Sequence, residues 1–289
     1  MAAKILDGVA LAAASRSETK RRAEALRAAG KPVRLVAILV GEPPGAVVYA
    51  NRQAESCRAV GIDYDLHQLP ADADERAVAE RIEELNRSDR VTGIMLHLPL
   101  PKRVDATEMQ SCIDPRKDVE GVSPANIGFV VYGRTLIAPC TARAAVELIE
   151  SSGVKLEGAE ACVVGASEIA GKPVALLLTQ RKATVTICQK ETRDLESHTR
   201  KAEVLVVAAG RPNLIGPDHV REGACIVDIG INRVTTLTGK KRTVGDVDFE
   251  RVTEKAGWIT PVPGGVGPMT VAMLLSNTVR SAEILARGD

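Results

Sequence analysis

From one end of the chain to the other, short apolar runs of strand length alternate with longer amphipathic stretches. Parallel neighbours need a crossover long enough to hold a helix, so this alternation selects an α/β fold in which helices cover parallel sheets. In the first half, a helix is expected from about Asp7 to Ala29, ended by Gly30. VRLVAILV then reads as a buried strand, AVVYANRQAESCRAV as a helix stopped by Gly61, and IDYDLHQL as another strand. Residues 74–87 form a further helix, and Thr92 to Leu96 a short strand running into HLPLP, where prolines impose a loop. After a Pro- and Gly-bearing stretch at 114–140, a second series opens with a helix at 141–150 and a strand at Ala161 to Val164. Strands follow near 183–187, 203–207 and 224–229, and a last helix runs from about Met269 to Leu285. The expectation is two domains, residues 1–140 and a Rossmann-like unit over 141–268. No internal repeat or low-complexity tract interrupts them.

Charge narrows the function. Lys and Arg number 38 against 37 Asp and Glu, a net charge of +1, which leaves no surplus to spread on a phosphate backbone or an anionic lipid surface. Nucleic acid and membrane partners are therefore not expected. No apolar run approaches the roughly 18 residues of a spanning helix, and MAAKILDGVALAAASRSETKRR lacks the order of a secretory leader, so a cytoplasmic protein is expected. The six cysteines (Cys57, Cys112, Cys140, Cys162, Cys188, Cys225) form no C-x-x-C pair and read as reduced core residues. The four histidines never recur at ligand spacing, so no metal site is expected. Aromatic residues are only 2%, and any planar ligand must rest on very few rings.

Several segments have the character of binding loops. VVGASEIAGKP places Gly165 directly after a strand and Gly171 at the start of the next helix, an arrangement that is either a tight connection or a phosphate site. About 20 residues on, where a dinucleotide fold reads the adenosine ribose, Lys190 offers a charge for a 2′-phosphate, or is a solvated loop lysine. PVPGGVGPMT is stiff and poor in side chains, then enters a helix that carries Thr270; its glycines imply close approach to backbone. Tyr49 and Gln53, four residues apart, share a helix face after the G-E-P-P-G turn. His97 leaves its strand at the carboxyl end, where open α/β sheets place ligand contacts. KDVEG offers Asp118 and Glu120 on a turn.

Taken together, VGEPPGAVVYANRQAESCRAVGI, GIMLHLPLP, PRKDVEG, GASEIAGKP and ITPVPGGVGPMTVAMLL resemble the bifunctional methylenetetrahydrofolate dehydrogenase/cyclohydrolase family over nearly the whole chain. The resemblance implies a homodimer whose last helix, 269–289, returns to the N-terminal folate domain, with folate in the cleft between domains facing the nicotinamide of NADP. It implies folate contacts from Tyr49, His97, Leu98, Pro99, Glu120, Pro263, Gly264, Gly265 and Thr270. For the cofactor it implies Gly165, Ala166, Ser167, Ile169, Lys190, Ala209, Gly210, Ile231 and Gly267.

The family's catalytic set is a Tyr, a Lys four residues later, a Gln in G-I-x-x-Q-L-P-L-P and the second Asp of K-D-V-D-G. In this chain those positions hold Tyr49, Gln53, His97 and Glu120. A glutamine amide hydrogen-bonds but carries no exchangeable charge, so the proton traffic of hydrolysis should suffer more than hydride transfer, which depends on holding two rings together. Gln189 and Lys190 also replace a frequent His-Ser pair, leaving NAD possible beside NADP. The expected activity is NADP-dependent oxidation of 5,10-methylenetetrahydrofolate to 5,10-methenyltetrahydrofolate, with cyclohydrolase activity weak or lost. Two alternatives stand beside it: a one-carbon transferase delivering the methylene to a small-molecule nucleophile in specialised biosynthesis, and a non-catalytic folate-binding homologue.

Overall fold

The structure, a computed structural model, describes residues 2–235 and 239–288. In chain order the elements are β1 (Lys4–Ile5), α1 (Gly8–Ala28), β2 (Arg34–Val40), α2 (Pro44–Ala59), β3 (Asp63–Leu69), α3 (Glu75–Arg87) and β4 (Gly93–Leu96). Then come α4 (Ala106–Ser111), α5 (Pro124–Val131), α6 (Cys140–Ser151), β5 (Glu160–Val164), α7 (Gly171–Gln180), β6 (Thr184–Cys188), α8 (Leu195–Thr199) and β7 (Val204–Val207). The chain closes with β8 (Cys225–Asp228), β9 (Asn232–Thr235), β10 (Lys241–Val244), α9 (Phe249–Val252), β11 (Trp258–Ile259) and α10 (Val266–Arg287). They gather into two compact units, one of residues 14–140 with 274–289, the other of residues 1–13 with 141–273.

In the 14–140 unit, β2 is the centre of a parallel sheet ordered β3-β2-β4. Its sequence RLVAILV is aliphatic throughout because both of its faces are covered, and all but Arg34 are buried. On one face Val36, Ile38, Val40, Ile94 and Leu96 pack with Val78, Ile82 and Leu85 of α3. Those three recur at i, i+4 and i+7, which gives α3 its apolar stripe. The helix starts where the Asp74 carboxylate accepts the Ala77 N–H at 2.9 Å. Its other end is held by a single ammonium: Lys117 Nζ donates to the carbonyls of Leu85, Asn86 and Ser88 at 3.0, 2.7 and 2.9 Å. The Leu85 and Ser88 carbonyls also accept the Ser88 and Val91 N–H groups at 3.3 and 3.1 Å, so the ammonium adds to the backbone bonds that close the helix. Residues 274–287 of α10 belong to this unit, with Arg22 and Glu283 joined by two hydrogen bonds of 2.8 Å.

The 141–273 unit is built on a parallel sheet ordered β1-β11-β8-β7-β5-β6, with β9 and β10 as a separate antiparallel hairpin. Strand β1 pairs with β11, which is why residues 1–13 join this later part of the chain. The hairpin and the two-residue strands β1 and β11 have no counterpart in the sequence reading. The last helix also starts earlier than expected, at Val266 rather than Met269, so half of PVPGGVGPMT is helical.

Five cysteines are buried as expected, whereas Cys112 is exposed at the end of α4. Burial pushes the Cys57 and Cys225 thiols up to about 12 and about 11. Among the described residues no helix is long and apolar enough to cross a membrane, and no three His, Cys, Asp or Glu side chains gather as a metal site.

Candidate active site

The second face of the β3-β2-β4 sheet carries different chemistry. Register pairs Leu35 with Tyr64 and Gly93, and Ala37 with Leu66 and Met95, so these side chains share that face. The His97 N–H donates to the Ile38 carbonyl at 2.9 Å and carries the ladder one step beyond β4. Alternation then returns His97 to the face of Met95. Tyr49, Gln53 and Cys57 of α2, spaced by four, form one stripe, and Gln53 Nε2 lies 2.9 Å from Met95 Sδ, which sets that stripe over this face.

Gln53 is only 3% exposed, and its Oε1 is enclosed without a hydrogen-bond partner. Tyr49 is 41% exposed and meets His97 edge-on, with ring centroids 5.7 Å apart and planes at 84°. His97 is buried, and its Nε2 lies 3.4 Å from the Tyr64 hydroxyl. Burial lowers the His97 pKa and so favours the neutral imidazole at pH 7. Burial, with Glu120 nearby, raises the Tyr49 phenol to about 12.

Glu120 follows β4's partner segment. Beyond the bridge between Ile94 and Asp118, the Leu96 amide at the sheet edge finds the half-buried Glu120 carboxylate. Desolvation and the Asp118 charge nevertheless push Glu120 up to about 8, against that hydrogen bond. Asp118 itself is consumed in shaping the turn, accepting from Gly121 N, Ser123 N and Asn126 Nδ2 at 3.0, 2.8 and 2.9 Å. Asn277 of α10 buttresses the turn by donating to the Val119 and Ala138 carbonyls at 2.9 and 3.0 Å. Within this one motif Lys117 and Asp118 thus fix the turn in place, and the Glu120 carboxylate meets the Leu96 amide. Leu98 and Pro99 are exposed just past His97.

In the 141–273 unit, the turn after β5 is closed by contact between glycines. A Cβ on Gly171 would lie 1.8 Å from the Gly165 carbonyl oxygen. Ser167 Oγ accepts the Gly171 N–H at 3.4 Å, while Ile169 stands 58% exposed and Lys190 is exposed beyond β6. Ala170 supplies no side-chain cap to α7, and the first amides bond within the turn, Gly171 to Ser167 Oγ and Lys172 to the Ser167 carbonyl at 3.1 Å. Ala209 and Gly210 donate their N–H groups to Asp246 Oδ2 at 2.6 and 2.8 Å, and Asn232 Nδ2 meets Asp246 Oδ1 at 2.7 Å. Ile231 is exposed, as are Gly267 and Pro263, with Gly264 between buried and exposed. In PVPGGVGPMT the backbone that approaches Gly265 belongs to the chain itself: a Cβ on Gly8 would fall 1.8 Å from the Gly265 carbonyl oxygen. Thr270 lies inside α10 and donates back to the Val266 carbonyl at 3.1 Å.

Tyr64, Met95 and Asn277 are absent from the sequence reading of the site. Tyr64 had a signal there, since a strand partner of Leu35 must share a face with the continuation of β4, but that register is visible only once the strands are paired.

A parallel α/β protein with a glycine turn at a helix start in one unit, and a tyrosine, a histidine and a carboxyl gathered over a sheet in the other, falls in the class of dinucleotide-linked enzymes. Residues 6–120 match the tetrahydrofolate dehydrogenase/cyclohydrolase catalytic domain, and residues 139–286 the NAD(P)-binding domain of the same family. The bifunctional protein FolD of Moorella thermoacetica is 47% identical over 282 residues, covering 98% of this chain and 99% of the relative. FolD 1 of Rubrobacter xylanophilus is 48% identical over 284 residues, 98% of each chain. Among solved structures, the bifunctional FolD methylenetetrahydrofolate dehydrogenase/cyclohydrolase from Campylobacter jejuni superposes with a TM-score of 0.92 at 41% identity, covering 98% of this chain and 99% of that one. The Trypanosoma brucei FolD, complexed with NADP and an inhibitor, gives 0.91 at 34% identity and 99% of each chain. The chain belongs to the tetrahydrofolate dehydrogenase/cyclohydrolase family.

Proposed function

We propose that this protein oxidises 5,10-methylenetetrahydrofolate to 5,10-methenyltetrahydrofolate with NADP, and that its hydrolysis of the methenyl product is weak or lost. The observation that carries the reading is Gln53. One turn after Tyr49, where the family has a lysine, stands an amide folded against Met95 Sδ with its oxygen sealed from solvent. It neither gains nor loses a proton near neutral pH, so it does not relay one to or from attacking water.

The glycine-closed turn between β5 and α7 and the exposed Lys190 suit a phosphate-bearing dinucleotide. NADP, when bound, supplies the acceptor for a hydride and its electron pair. The chain's own residues hold the other reactant. Tyr49, exposed on one edge and packed on His97 by the other, orients the one-carbon bridge. Glu120 faces the pterin amino and ring N–H groups, and Leu98 and Pro99 give the ring an apolar border. Breaking the methylene C–H bond leaves positive charge on the bridging carbon and its nitrogens. A pocket whose nearest side chains are Tyr49, Gln53 and neutral His97 sets no cation against that charge. Relative to aspartate, the extra methylene of Glu120 shifts the pterin by roughly a bond length, an amount that alters rates. A cytoplasmic homodimer is part of the same proposal.

The test mixes the protein with methylenetetrahydrofolate and NADP, then NAD, and follows methenyl- and formyltetrahydrofolate separately by acid-quenched chromatography. Methenyl product without enzymatic formyl product supports the reading. Formyl product formed as fast as methenyl overturns the hydrolytic half, and absence of both overturns the whole.

A further inference from the structure

We propose that Tyr64 is a positioning residue that locks His97 as a neutral acceptor, so that this pair, and not a residue of α2, sets how the oxidation depends on pH. The proposal rests on the oxidation argued above. Its ground is geometric. Tyr64 and His97 come from strands on opposite sides of β2 and share the face on which Leu35, Ala37 and Leu39 lie. Ala37, the smallest of the three, stands between them and leaves room for a phenol to cross the central strand. The hydroxyl reaches to 3.4 Å from His97 Nε2, while the other side of the ring is fixed edge-on by Tyr49. The imidazole is therefore gripped from β3 and from α2, and it is 2% exposed, so water does not compete for its nitrogens.

The chemistry gives the grip a purpose. A phenol pushed upward by burial stays protonated and so can donate its O–H to Nε2; the proposed lock takes that direction, with the ring proton on Nδ1. That hydrogen bond exists only with a neutral ring, because imidazolium has no lone pair at Nε2. Oxidation of the methylene carbon builds positive charge in the pocket, so an imidazolium there opposes the step and a neutral ring does not. The other ionisable groups around this face are Tyr49 and Cys57 from α2, both raised to about 12, and Glu120 and Asp118 from the turn paired with β4. Glu120, at about 8, titrates on the alkaline side. The acid limb of the profile is left to His97.

Two measurements on the full-length protein test this. In the first, kcat and KM for methylenetetrahydrofolate are followed from pH 5 to 9 in wild type, Tyr64→Phe and His97→Gln. Wild type should lose kcat on the acid side with a midpoint below the ordinary histidine value of about 6.5. Tyr64→Phe should move that midpoint up by about half a unit or more, since the bond favouring the neutral ring is gone, and His97→Gln should abolish the limb. The second follows the nitrogen resonances of His97 in the ligand-free protein, assigned by their loss in His97→Gln; wild type should show the Nδ1–H tautomer and Tyr64→Phe a higher midpoint. Superimposable profiles and titrations in wild type and Tyr64→Phe overturn the proposal. Should wild type oxidise no methylenetetrahydrofolate, the functional reading falls, while the resonance titration still decides whether Tyr64 governs His97.

Discussion

Gln53 shows how much one side chain alters a pocket. Its buried oxygen lacks a partner, and an unmatched buried acceptor costs about 1–3 kcal/mol. Gln53→Met, close in volume, should therefore raise stability by about 1 kcal/mol in denaturant unfolding, a gain read as a higher midpoint at constant slope. Gln53→Lys should instead create or increase hydrolysis of methenyltetrahydrofolate, measured as formyl product; no gain would mean that His97 or Glu120 has shifted the folate. Tyr49→Phe should lower turnover about tenfold, the loss of one oriented hydrogen bond of about 1.4 kcal/mol. At this scale the sequence named Tyr49, Gln53, His97 and Glu120 because each sits in a motif. It missed Tyr64 because no motif contains it, and only β-sheet register brings a residue 33 positions away to His97.

At the scale of elements, legibility followed burial. The aliphatic strands β2, β5, β7 and β8 were placed within a residue or so, since a strand covered on both faces leaves an unbroken apolar run. The hairpin β9–β10, reading NRVT and KRTV, stays at or near the surface along its length and so has no such run. Helix ends were readable where a side chain marks them: Asp74→Ala should cost about 1 kcal/mol by removing the cap of α3. The opposite end, read at 87, falls at Arg87, and there Lys117, from outside the helix, also donates to the last carbonyls. Burial lowers the pKa of that ammonium, yet it donates to three carbonyls. Lys117→Met should take one donor from each, the Leu85 and Ser88 carbonyls keeping their backbone bonds, and cost about 2 kcal/mol, seen as a lowered thermal midpoint. Because the same residue anchors the turn that bears Glu120, folate affinity should weaken as well.

For the whole molecule, the carboxyls drawn away from water set the direction of pH dependence. Glu120 and Asp228, raised to about 8 and about 6, hold protons more tightly in the folded chain than in the unfolded one, where carboxyls titrate near 4. Their contribution to stability therefore falls as pH rises from there to about 8. Asp114 and Glu283, lowered by Arg116 and Arg22, contribute with the opposite sign and are lost on the acid side. Thermal midpoints should peak near pH 5 and decline toward 8, and Glu120→Gln should flatten the decline. Light scattering should return twice the 30.6 kDa chain mass if the proposed dimer forms. The sequence reading sets a domain boundary near 140 from a change of pattern. The return of the first 13 residues to the later part is absent from it, because β1 is two residues long and recognisable only by its partner β11.

The distribution of the thiols has a practical side. Five are enclosed and Cys112 alone meets solvent, at the end of a short helix. A maleimide dye offered to the native protein should therefore attach once per chain and at one address. The fold thus comes with a ready handle for fluorescence or surface immobilisation, with no need to engineer the other five away.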